Sequence, residues 1–287
     1  MSAPALPAPA SWLPLVERAL AEDVGSGDAT SNAVLAADAT CEAVVEARSP
    51  LVVCGLPIAE AVLARVDPEL RVERLRPEGG FAEAGTALLG ISGNARSLLA
   101  AERTVLNFLG RLCGVATHTR AYVAAVAGTG AEILDTRKTL PGWRVLDKYA
   151  VAVGGGRNHR TGLYDALLIK DNHVAAAGGV GAAVKAARAA APPHLLLQVE
   201  VESEAQAAEA IEAGARWLLL DNRTPAELRR LVERFGSEAV LEASGGVTLA
   251  NVREIAETGV QRISIGALTH SAPNADVALE VVRRGSR

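Results

Sequence analysis

HLLLQVEVES (residues 194–203), RWLLLDN (216–222), EAVLEASGG (238–246) and QRISIGAL (261–268) recur at a spacing of roughly 22 residues, the length of one strand, one helix and two turns. Each run is continuously apolar rather than alternating, the pattern of a parallel strand covered on both faces. Two earlier runs, AEILDTRK (131–138) and DALLIKDN (165–172), have the same character. Between the runs lie helical stretches such as TPAELRRLVERF, where Thr224 can cap and Pro225 takes the first helical position. NVREIAETG follows the same plan and stops at Gly259. This alternation predicts an α/β fold, either a barrel or a doubly wound sheet.

The polar residues decide between the two. They gather at the C-terminal end of every run: Arg137 and Lys138; Lys170, Asp171 and Asn172; Glu200 and Glu202; Asp221 and Asn222; Ser244, Gly245 and Gly246; Ser264 and Gly266. A parallel barrel brings all these ends to one face, where barrel enzymes keep their active sites, whereas an open sheet scatters them. The expectation is therefore an incomplete α/β barrel of six to seven strands. Residues 1–112 do not continue the repeat. TCEAVVEARSPLVVCG and RVERLRPEGGFAEAGTALLGISG show the alternation and Gly turns of antiparallel strands, which predicts a smaller N-terminal α+β sandwich domain. SLLAAERTVLNFLGRLCGVATHTRAYVAAVAG reads as one or two amphipathic helices leading into a barrel domain at 113–274.

Composition narrows the function. The chain has 287 residues, with 29 Lys and Arg against 33 Asp and Glu, a net charge of -4, and no basic runs, which argues against a nucleic-acid or membrane-surface partner. No Lys or Arg precedes the apolar part of MSAPALPAPASWLPL, and no apolar run approaches the ~20 residues of a membrane span, so a cytoplasmic protein is expected. Cys41, Cys54 and Cys113 lack CxxC spacing and are read as buried, reduced thiols.

Against this acidic background, residues 133–173 hold seven Lys or Arg and two His beside four Asp. Arg137, Lys138, Arg160 and Lys170, with His159 among them, lie at or beside the ends of the first two strands, which suits a small, multiply anionic ligand. Arg favours bidentate carboxylate or phosphate recognition and Lys acts as a point charge. A Lys at a barrel strand end also allows a Schiff base, as in an aldolase. Glu200 and Asp221 face the same mouth. They either pair with Arg137 or Lys170, or hold ribose hydroxyls or magnesium, since hard cations choose oxygen. The small residues at 244–246 and 264–266 would let backbone N–H groups approach a phosphate. Gly154 to Gly156 follow a predicted helix and read as its stop. His118 and His173 have no partners at metal-ligand spacing, and His194 and His270 are expected at the surface.

The block DTRKTLPGWRVLDKYAVAVGGGRNHRTGLYDALLIKDNH (135–173) resembles the signature region of the quinolinate phosphoribosyltransferases, also called carboxylating nicotinate-nucleotide pyrophosphorylases. LAEDVGSGDATS (20–31), ERTVLNFLGRLCGVAT (102–117), VEVES, LLLDN, EASGGV and ISIGALTHS are similar to that family in order and spacing, over nearly the whole chain. The resemblance implies a C-terminal tail (275–287) that returns to the N-terminal domain, and a homodimer in which Arg103 completes the partner's active site. It further implies that Arg103, Arg137, Lys138, His159, Arg160 and Lys170 receive quinolinate. Thr136, Glu200, Asp221, Ser244, Gly245, Gly246, Ile265, Gly266 and Ala267 would receive phosphoribosyl pyrophosphate. Lys138, Lys170, Glu200 and Asp221 would stand nearest the reaction, with Mg2+ near Glu200 and Asp221 rather than in a protein cage. The alternatives are a non-carboxylating or molybdenum-associated phosphoribosyltransferase, a Lys-dependent aldolase and a non-catalytic phosphate-sugar binding protein.

Overall fold

The computed structural model describes residues 4–284. In chain order the elements are α1 (Leu13–Val24), α2 (Ala29–Val34), β1 (Thr40–Ala47), β2 (Leu51–Val52), α3 (Leu56–Val66), β3 (Arg71–Arg74), β4 (Phe81–Ala82), β5 (Ala87–Asn94), α4 (Ala95–Ala125) and β6 (Glu132–Leu134). There follow α5 (Arg144–Val153), β7 (Leu167–Ile169), α6 (Asp171–Ala177), α7 (Val180–Ala190), β8 (Leu197–Val201), α8 (Glu204–Glu212) and β9 (Trp217–Asp221). The last are α9 (Pro225–Phe235), β10 (Val240–Ser244), α10 (Val252–Ala256), β11 (Arg262–Ser264), α11 (Ala267–His270) and β12 (Val277–Arg284). They form two compact units. One comprises the described residues through Arg120, Thr139–Gly155 and those from Leu268 onward; the other comprises Ala121–Lys138 and Gly156–Ala267.

The second unit contains all six apolar runs as strands, in the order β6-β11-β10-β9-β8-β7 and all parallel. The first strand of the set pairs with the last, and the others follow in sequence, which is the circuit of a barrel rather than the reversing order of a doubly wound sheet. Among the described residues no ladder joins β6 to β7, so the barrel is incomplete. What stands nearest a seventh strand is an isolated parallel bridge between Leu134 and Arg157. One pleat face is apolar and buried, with Val199, Leu218, Leu220, Leu241, Ala243 and Ile263. Register aligns Glu200 with Leu219 and Leu219 with Glu242, and Asp221 with Ser244 and Ser264, so these residues share the opposite face. Thr224 caps α9 in a capping box with Glu227.

In the first unit an antiparallel sheet runs β12-β1-β5-β3, with Cys41, Ala43, Val45 and Ala47 of β1 buried in strict alternation. The predicted return of the tail is β12, which pairs with β1 (Val45 opposite Leu279, Ala47 opposite Val277); residues 285–287 of that tail lie outside the described residues. The stretch read as one or two helices is the single 31-residue α4. It approaches the segment before β12 so closely that a Cβ on Gly114 would sit 2.1 Å from the Pro273 carbonyl oxygen. Against the expected division into 1–112 with the tail 275–287, and 113–274, α4 spans residue 112, and residues 139–155 and 268–274 group with the first unit. All three cysteines are buried free thiols.

Candidate active site

Every predicted site residue except Arg103 belongs to the second unit. Thr136, Arg137 and Lys138 follow β6, Lys170 follows β7, Glu200 is the penultimate residue of β8, and Asp221 and Ser244 end β9 and β10. Ile265, Gly266 and Ala267 follow β11. Parallel pairing therefore places all of them at one edge of one sheet. His159 and Arg160 reach this edge because residue 157 is laced to β6, its N–H donating to the Ile133 carbonyl (2.8 Å) and its carbonyl accepting from Asp135 N–H (3.1 Å). Arg103 is an exposed residue of α4, in the first unit.

The positive charge of residues 133–173 separates into two groups. Arg144, which donates to Thr139 Oγ1 (3.1 Å), and the buried Lys148 belong to α5 and the first unit. Arg157 pairs with Glu132 (3.0 Å). Arg137, Lys138, Arg160 and Lys170 remain at the sheet edge. Burial lowers the pKa of the Arg160 guanidinium and the Arg137 charge lowers it further, with Asp165 opposing both. Lys170 Nζ donates to Glu200 Oε2 (2.7 Å), which realises the ion-pair reading of Glu200. Thr136 Oγ1 accepts from Lys138 N–H (3.0 Å) and shapes the turn that presents Lys138 to solvent.

On the other side of the edge, Asp221 and the glycine turn are built together. Asn222 has φ 53°, the only non-glycine residue with positive φ among the described residues, and donates its amide to Asp221 Oδ2 (2.7 Å). Its Oδ1 lies where a Cβ on Gly245 would be, at 2.1 Å, and Gly245 has φ 91°. Asn251 closes the turn, donating to the Gly246 carbonyl (3.0 Å) and accepting from Thr248 N–H (2.8 Å). Gly245→Ala combines a backbone penalty of ~1–3 kcal/mol with displacement of Asn222. It is expected to raise KM for a phosphorylated substrate bound at this turn by about tenfold or more. Adding Asn222→Gly should not restore the wild-type value, because Asp221 then loses its donor. Initial-rate kinetics check this, and an unchanged KM in Gly245→Ala would refute it.

Beneath the edge lies a buried polar chain that sequence reasoning missed apart from His159. Asp135 accepts from His159 N–H (2.8 Å), His159 Nδ1 accepts from Arg160 N–H (2.8 Å), and His159 Nε2 meets Gln198 Oε1 (2.9 Å). Gln198 Nε2 donates to Glu242 Oε2 (3.1 Å). Glu242 is fully buried, 3.4 Å from His159 Nε2 and 3.7 Å from Arg262. Both ring nitrogens of His159 are thus engaged by protein groups. The available signal was pleat parity: Glu242 sits two residues before Ser244, so it shares the face of the site in an otherwise apolar strand. Asn222 had a weaker signal, since Asn tolerates positive φ after a strand end.

No group of three or more His, Cys, Asp or Glu among the described residues is placed to hold a metal ion. Glu200 and Asp221, carboxylates at adjacent strand ends, could offer oxygen ligands to a hard cation such as magnesium.

Comparison with known proteins fits this arrangement. Residues 28–113 match the quinolinate phosphoribosyl transferase N-terminal domain, and residues 115–280 match the C-terminal domain. The chain belongs to the quinolinate phosphoribosyltransferase family. Similar to it are the probable carboxylating nicotinate-nucleotide pyrophosphorylase of Bacillus subtilis (41% identical, covering 91% of this chain and 90% of that one) and the carboxylating enzyme of Mycobacterium leprae (44%, covering 93% and 95%). The crystal structure of NadC from Streptococcus pyogenes is 35% identical and matches with a TM-score of 0.95, covering 99% of this chain and all of that one. Both domains of a quinolinate phosphoribosyltransferase are therefore present in the family's order.

Proposed function

We propose that the protein transfers the phosphoribosyl group of phosphoribosyl pyrophosphate to quinolinate, releasing pyrophosphate and carbon dioxide and forming nicotinate mononucleotide for NAD biosynthesis. The observation that carries this reading is the gathering of Arg137, Arg160 and Lys170 at the same sheet edge as the Ser244–Gly246 turn, with the Arg137 charge felt at Arg160. A ligand with a single carboxylate would neutralise half of the Arg137–Arg160 pair. Adjacent carboxylates on one ring match it in charge, and Arg forks bind them bidentately.

Lys138 is exposed and Lys170 half-exposed. Both would complete the anion pocket, and Lys170 would exchange Glu200 for a substrate carboxylate. Arg103 would come from the partner subunit of a homodimer. Asp221 and Glu200 would bind ribose hydroxyls, while Thr136 and the backbone at Ser244 to Gly246 and Ile265 to Ala267 would hold the 5-phosphate. Magnesium, met by Asp221 and Glu200, would neutralise charge on the pyrophosphate.

With the ring nitrogen held against C1 of the ribose, its lone pair forms the N–C1 bond as the C1–O bond breaks and pyrophosphate leaves with the electron pair. When the adjacent C–CO2 bond breaks, its electron pair stays on the ring carbon as a carbanion that the positive charge of the quaternary nitrogen stabilises, and that carbon is then protonated. Positioning and charge compensation are the protein's main contributions. No helix among the described residues is long and apolar enough to cross a membrane, and we assign the reaction to the cytoplasm as part of the same proposal.

The test is a reaction of the purified protein with quinolinate, phosphoribosyl pyrophosphate and magnesium chloride. Equimolar nicotinate mononucleotide and carbon dioxide are expected, with little product from nicotinate and loss of turnover when EDTA is added. Turnover of nicotinate alone would assign a non-carboxylating enzyme, and no turnover of either would overturn the reading.

A further inference from the structure

The buried chain beneath the site has no role in the chemistry above, yet its proton positions can be assigned link by link. Arg160 N–H points at His159 Nδ1, so that nitrogen carries no proton and must accept. In the neutral ring the proton is then on Nε2, which donates to Gln198 Oε1. This orients the Gln198 amide so that its nitrogen donates to Glu242 Oε2. Glu242 is fully buried, with His159 Nε2 at 3.4 Å and Arg262 at 3.7 Å, and its carboxyl is held below its ordinary value despite that burial. Glu242 therefore ends the chain as a carboxylate acceptor.

The other end of the chain is the guanidinium pair itself. His159 directly precedes Arg160, and Asp135, which accepts from His159 N–H, lies two residues before Arg137. His159 thus ties together the backbones that carry the two guanidiniums, through its main-chain N–H to Asp135 and its ring to the Arg160 N–H. The Arg137 charge disfavours that of Arg160, so the backbone must hold the two stretches against like-charge repulsion. Keeping an ionised Glu at complete burial is costly, and apolar residues of similar volume would stabilise a barrel at least as well.

We propose that Gln198 and Glu242 are positioning residues of the dicarboxylate subsite: through His159 they fix the spacing of Arg137 and Arg160 so that the pair fits two carboxylates on adjacent ring atoms. This inference rests on the reading that the pair receives quinolinate. It assigns His159 to the support of Arg160, with no nitrogen left for the ligand.

The test is calorimetric binding of quinolinate and, separately, of phosphoribosyl pyrophosphate with magnesium chloride, to the wild type, Glu242→Gln and His159→Asn. Asn can offer its amide oxygen near the place of Nδ1 and so keep the Arg160 bond, but it cannot reach Gln198. The expected result is a quinolinate Kd raised tenfold or more in each variant, a phosphoribosyl pyrophosphate Kd within twofold of wild type, and a double variant no weaker than the worse single one. Unchanged quinolinate binding in the variants, or equal weakening of both ligands, would overturn the relay. If Glu242→Gln does not fold, His159→Asn decides by the same criteria. Failure of the wild type to bind quinolinate would instead remove the functional reading on which the relay stands.

Discussion

Arg160→Ala will lower kcat/KM for quinolinate by about a hundred- to a thousandfold, corresponding to ~3–4 kcal/mol. Arg160 is half-buried, donates Nη1 to the Ala166 carbonyl (3.2 Å), and is held beside Arg137 at an electrostatic cost within the free protein. That cost is recovered when an anion with two carboxylates arrives, and Ala removes both the fork and the reason for the pairing. Arg160→Lys keeps the charge but loses bidentate geometry, so it should retain more activity than Ala and far less than wild type. The ratio of quinolinate to nicotinate kcat/KM should fall with the Ala variant, because nicotinate never uses the second carboxylate position. Steady-state kinetics with both acids provide the check. A change of less than threefold for quinolinate would mean that the pair binds something else.

Asp147→Ala will destabilise the first unit by ~3–5 kcal/mol. Asp147 is completely buried and receives a two-pronged contact from Arg111, Nε to Oδ1 and Nη2 to Oδ2, each at 3.0 Å. It also accepts from Leu140 N–H (3.3 Å), and Arg111 donates further to the Thr269 carbonyl. One ion pair thus joins α4, α5 and the segment at Thr269, three stretches distant in sequence. Truncating Asp147 strands a guanidinium that is only 8% exposed. At roughly 2–4 °C per kcal/mol for chains of 150–250 residues, a fall of about 10 °C in Tm is expected. Replacing both partners, Arg111→Met with Asp147→Leu, should recover most of it. A fall below 3 °C in the single variant would show that the pair is dispensable.

The barrel was legible because parallel strands covered on both faces need no alternation, so LLLQVEV, WLLLD and AVLEAS stand out against Ala-rich helices. Strand-end chemistry was legible for the same reason: Asp221 and Ser244 follow apolar runs directly. Other features depend on partners far away in the chain. Nothing local marks WRVLDKYAVAV as a helix of the first unit, since Asp147 acquires its meaning only from Arg111 and Thr269. His159 looked like one more cation among four, and only its neighbours Gln198 and Arg160 show that its ring is turned to the protein. Glu242 is hidden in the middle of a strand, where a single acidic residue among apolar ones shows in the sequence only through the direction of the pleat.

The chain passes between its two units at residues 120/121, 138/139, 155/156 and 267/268, and the strand that covers β1 comes at Val277–Arg284. During synthesis, then, the unit begun first is finished last. β1, β5 and β3 emerge early, but one edge of β1 stays open until almost the whole chain has left the ribosome, and an open strand edge invites pairing with the wrong chain. A stalled or truncated product ending before Val277 would carry that open edge, and it should require chaperone protection even with every residue of the barrel already made.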